Sequence, residues 1–135
     1  MTEAEAFAAI ALAAVACDGV LGREEAHALR KQLEFRFPYR ERSESDMGAL
    51  FDQLLGLLRS DGVEGLLKQA LPALSPLQQE TALALASQLV HADRQVSSEE
   101  DAFLKDLTSR LNISEDKAKM IVYSISALNR DSLAC

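Results

Sequence analysis

Apolar residues along this chain recur at spacings of three and four, and no segment shows the sustained alternation that a strand requires. From about residue 3 to 17 nearly every side is apolar, with Phe7, Ile10, Leu12 and Val15 set among alanines. A helix apolar all round has to be surrounded by other helices, so this first segment is expected at the centre. Asp18-Gly19 marks its end, because glycine can close a helix in the left-handed conformation at no side-chain cost. A second helix begins after Gly22, with Glu24 and Glu25 in the first turn where carboxylates face the positive end of the helix dipole. It carries Ala26, Leu29 and Leu33 and stops before Pro38. A third is predicted over about 45–59 on Leu50, Phe51, Leu54, Leu55 and Leu58, closed by Asp61-Gly62. A short fourth covers about 63–71, with Pro72 and Ser75-Pro76 as punctuation.

The second half repeats the style. Ser75, Pro76 and Gln78 supply a cap, a proline at the first helical position and a capping partner, opening a fifth helix that runs to about residue 92. It too is apolar around most of its surface (Leu83, Ala84, Leu85, Ala86, Leu89, Val90) and is expected to be central. Ser97 to Glu100 form a capping box for a sixth helix through Phe103, Leu104, Leu107 and Leu111, ending at Asn112. Ser114-Glu115-Asp116 start a seventh, which carries Ile121, Val122, Ile125 and Leu128 to about Asn129. The expectation is an all-α, compact bundle of about seven helices. With 135 residues it forms one domain over 1–135.

Sliding the chain on itself by 75 residues places Val15 on Val90, Asp18 on Asp93, Glu24 on Glu99, Glu25 on Glu100 and Leu29 on Leu104. Each unit, roughly 3–37 and 76–111, reads as an apolar helix, an aspartate, a short turn holding an aliphatic residue, and a Glu-Glu pair opening the next helix. A pseudo-twofold internal repeat is the expected consequence. The run Ala16-Cys17-Asp18-Gly19-Val20-Leu21-Gly22-Arg23-Glu24-Glu25, with His91-Ala92-Asp93-Arg94-Gln95-Val96-Ser97-Ser98-Glu99-Glu100 as its second copy, resembles the acidic-turn signature of the tellurite-resistance TerB-like domains. That resemblance covers nearly the whole chain. It implies a helical bundle in a bacterial cytoplasm, acidic clusters that bind metal, and a protein partner, such as a membrane-associated stress-response protein. It implies no reaction. The chain departs from the pattern at Cys17, where the first copy usually has alanine, and at Arg94, where the second has glycine; a cation beside Asp93 weakens a metal site there.

Composition narrows the choice of function. Apolar residues make up 48% of the chain and aromatic residues only 5%, so the core is aliphatic. The formal net charge of -7 repels a phosphate backbone and excludes general nucleic-acid binding. The apolar start is about twelve residues against the roughly twenty that span a bilayer, and acidic residues precede it where a secretory signal has basic ones. A cytoplasmic protein without direct membrane insertion is expected. Cys17 and Cys135, far apart in the chain, do not suggest a disulfide framework. No glycine-rich phosphate loop and no nucleophile motif occurs, so no catalysis is expected.

The candidate chemistry is acidic. Asp18, Glu25, Asp93 and Glu100 could act as oxygen ligands for a hard divalent cation if the two turns meet. As helix caps, the same glutamates reach back to backbone N–H groups and need no metal. An EF-hand is excluded, since loops starting at Asp18 or Asp93 place Leu29 or Leu104 where a bidentate glutamate is required. A softer zinc site of Cys17, Asp18, His91 and Asp93, and a Cys17 nucleophile served by His27 or His91, are weaker alternatives. Residues 35–42 alternate rings with arginines, which suits an acidic partner; Phe35 and Phe37 are expected to pack inward and leave the arginines in water.

Overall fold

The computed structural model describes residues 1–19, 21–92 and 95–135, and of Arg23 and Glu24 the backbone alone. Among the described residues the fold has six α-helices: α1 (Glu3–Ala16), α2 (Arg23–Glu34), α3 (Glu44–Ala70), α4 (Pro76–His91), α5 (Ser98–Arg110) and α6 (Glu115–Leu128). Short 3-10 turns at Tyr39–Glu41 and Leu71–Ala73 precede and follow α3. No strand occurs among the described residues.

The alanines of α1 explain its position. Ala6, Ala8, Ala9, Ile10, Ala11, Leu12, Ala13 and Ala14 are all buried, and their small side chains let neighbouring backbones close in from several directions. α1 packs most extensively on α3 and α4, and also on α2, while α6 lies on the far side of α4. The amide of Gln78 at the start of α4 bonds the carboxylate of Glu3 at the start of α1. At the other end, Val15 and Asp18 share a cleft with Gln88, Leu89 and Ala92. The two central helices therefore run parallel, with their N-termini together and their C-termini together.

Local chemistry sets the helix starts. Thr2 with Glu5, Ser75 with Gln78 and Ser97 with Glu100 each form both bonds of a capping box. The expected count of about seven helices is corrected to six at Gly62. There the backbone turns to φ 71, ψ -174, a conformation open to glycine, so the break predicted at Asp61-Gly62 is present, but the predicted third and fourth helices abut across this kink with no loop between them and count as one kinked element. Two polar side chains sit inside this aliphatic core among the described residues, Ser87 and Gln79. Gln79 donates to the carbonyl oxygens of Leu71 and Leu74 and accepts from the backbone N–H of Asn112, tying the start of α4 to the turns before α4 and after α5.

Candidate functional site

The C-terminal ends of α1 and α4 and the first turns of α2 and α5 meet at one cleft. α1 closes through Cys17, Asp18 and Gly19, where Gly19 at φ 82 donates its N–H to the carbonyl of Ala16 at 3.0 Å. α2 starts at Gly22, which has no side chain to cap the helix. The carboxylate of Glu25 folds back over that position, with Oε2 2.5 Å from where a Cβ on Gly22 would stand. α5 starts with Ser97, whose N–H donates to Glu100 Oε1 at 3.0 Å.

Asp18, Glu25 and Glu100 line this cleft of ≈ 320 Å³ together with the amides of Gln32 and Gln88, over a floor of Val15 and Leu89. Three of the four predicted metal ligands thus come together; the fourth, Asp93, lies outside the described residues. Gln32 and Gln88 were not singled out by sequence reasoning, because a glutamine on a helix face carries no signal until its neighbours are known. The donors are all hard oxygens or amides, the set that suits Mg²⁺, Mn²⁺ or Ca²⁺ rather than a soft metal. Among the described residues, no group of three or more His, Cys, Asp and Glu side chains stands close enough to hold one ion directly. A cation there would have to keep part of its water shell and take no more than one or two of the described carboxylates.

Cys17 stands beside these carboxylates. Its thiol donates to the carbonyl oxygen of Ala14 at 3.2 Å, and burial, followed by the charges of Glu100, Asp18 and Glu99, pushes its pKa up to about 11. A thiol held neutral in this way is a poor nucleophile and a poor zinc ligand. His91 turns its Nδ1 to the carbonyl oxygen of Ser87 at 2.8 Å and lines a different cavity, with Val96, Leu104 and Tyr123. His27 lines a third cavity, with Leu12 and Phe51. Among the described residues, neither histidine lines the acidic cleft beside Cys17, so the zinc and nucleophile alternatives find no constellation there.

The aromatic-basic segment differs from expectation. Phe35 and Phe37 are 80% and 67% exposed, whereas Tyr39 is 3% exposed and takes the inward seat. Tyr39 wins that seat because its hydroxyl donates to the carbonyl oxygen of Ala4 while its ring lies 6.4 Å from that of Phe7. No helix among the described residues is long and apolar enough to cross a membrane.

Comparison with curated proteins and with solved structures finds no match. The model of the family described as tellurite resistance protein TerB matches residues 4–122, and on that match, over a helical fold, the chain belongs to the TerB family.

Proposed function

We propose that this chain is a non-catalytic, cytoplasmic module of a stress-response system that takes up a hydrated divalent cation in the cleft of Asp18, Glu25 and Glu100, with Asp93 from the second turn as a further ligand, and that works with a protein partner. The observation that carries the reading is the convergence of three carboxylates from three helix ends on one open cleft. Like charges gathered in this way repel one another, and a dication relieves that repulsion without requiring a dry cage. Lowering the pKa of a bound water would be the ion's own chemistry. The protein's residues supply charge and position.

A second reading is an interaction domain whose acidic turns are caps only, and one observation favours it: Glu100 already spends an oxygen on the N–H of Ser97. Calorimetric titration of metal-stripped protein with Mg²⁺, Mn²⁺, Ca²⁺ and Zn²⁺ separates the two. Saturable heat with a hard cation is expected, lost in Asp18→Asn and in Glu100→Gln. The latter keeps the capping box, because glutamine serves there as well as glutamate. Absence of saturable heat with every cation would leave the carboxylates as caps and make the second reading the function.

A further inference from the structure

Three rings and three arginines occupy residues 35–42 of a chain that holds 21 acidic residues. Arg30 and Arg110 each pair with two carboxylates. Among the described residues, Arg36, Arg40 and Arg42 pair with none. Arg36 instead stacks 5.6 Å above the ring of Phe7, and Arg42 lies 6.0 Å from the ring centre of Tyr39. A guanidinium stacked on a ring is held in place and still presents N–H groups outward, ready for a carboxylate.

Arg36 lines a groove of ≈ 350 Å³ between the first turns of α1 and α4 and this loop, with walls of Phe7, Phe37, Pro38 and Leu74; Arg40 lies further along the same loop, and Arg42 lines a separate cavity with Glu5 and Asp46. Glu3, the acidic residue on its rim, is engaged by Gln78. Phe35 and Phe37 stay in water although an inward place exists in the loop, which Tyr39 fills. An exposed pair of phenyl rings beside unpaired arginines has the composition of an interface centre, where aromatic residues and arginine are enriched.

We propose that this groove docks an acidic peptide segment of a protein partner. An apolar side chain of that segment enters between Phe7, Phe37 and Leu74, and its carboxylates pair with Arg36 in the groove wall and with Arg40 further along the loop. An anionic bilayer has the same two chemistries, but a flat surface would also meet Glu34 and Glu41 and the net charge of -7, whereas a short peptide reaches only the groove and its arginines. The inference is independent of the acidic cleft, which lies at the opposite ends of α1 and α4.

The test is selection of a displayed library of short random peptides on the whole chain, followed by fluorescence anisotropy of the synthesised winners. Enriched peptides are expected to combine Asp or Glu with a large apolar residue and to weaken with salt. Binding is expected to fall roughly tenfold in Arg36→Gln/Arg40→Gln and in Phe37→Ser. Asp131→Asn, an exposed change outside both sites, should bind as the parent does. Both sites of change are on the surface, and circular dichroism checks that the variants fold. Failure to enrich, winners that lack acidic residues, or winners that bind the variants as tightly as the parent would overturn the proposal. Sedimentation with phosphatidylserine vesicles in the absence of peptide selection would overturn it in favour of a lipid surface.

Discussion

Ser87 is 0% exposed on α4, and its hydroxyl has no hydrogen-bond partner. A hydroxyl buried in that way has given up water for nothing, so Ser87→Ala removes a cost and leaves little space behind. The variant is expected to be about 1 kcal/mol more stable, read as a higher urea midpoint at unchanged slope. A loss of stability would mean that the hydroxyl has a partner in solution. Tyr39 illustrates the same rule in the opposite sense: its buried hydroxyl is satisfied by Ala4, and that single bond decides which of three neighbouring rings turns inward. Neither outcome is visible in the sequence, where Phe35, Phe37 and Tyr39 compete on nearly equal terms and the deciding carbonyl belongs to a residue 35 positions away.

At the scale of elements, Gly62 carries the strongest single constraint. A Cβ there would meet nothing within 4 Å, so the cost of Gly62→Ala is conformational alone. At φ 71, ψ -174 that cost is about 1–3 kcal/mol, and chemical denaturation of the variant should show a loss of this size. A neutral result would imply that α3 straightens without penalty. The helix starts were legible in the sequence because a cap and its partner lie three residues apart, as in Ser75 with Gln78 and Ser97 with Glu100. Gly62 was legible as a break, but whether hydrogen bonding resumes after it depends on Leu66, Leu67 and Ala70 packing into the core beyond. The convergence of Asp18, Glu25 and Glu100 was conditional in the sequence on the direction of two helices, and a contact between Glu3 and Gln78 records that direction. Gln79 escaped notice because its partners are backbone groups of two turns, which leave no trace in side-chain spacing.

For the whole molecule, stability should hold a plateau in pH bounded by groups whose ionisation the fold disfavours on one side and favours on the other. Burial raises Cys17 from 9.0 to about 11 and Tyr39 from 10.0 to about 12. Both contribute fully below their unfolded values, so stability is expected to fall from about pH 9 upward as the unfolded chain releases protons first. Glu5 is lowered chiefly by the backbone N–H of Thr2, and Glu64 chiefly by the side chain of Arg110. Their contribution is present above 4.5 and is lost as pH falls through their lower folded values, to a small extent because both are near the surface. Thermal midpoints measured across this range, with Tyr39→Phe for comparison, test the alkaline edge. A fall of the same size in Tyr39→Phe would assign that edge to Cys17 or to other groups.

The parallel course of α1 and α4 separates two chemistries by the length of one helix. Its 14 residues span about 20 Å, while charges in physiological salt are felt over roughly 8 Å. An ion in the acidic cleft is thus electrostatically silent at the arginine groove. Cross-talk between the two ends would have to travel as a mechanical shift of α1, and the close fit of its buried alanines on every side leaves that helix little freedom to slide. If both proposed sites take their occupants, the chain is a two-ended adaptor, and the double complex is expected to assemble in either order with the same affinities.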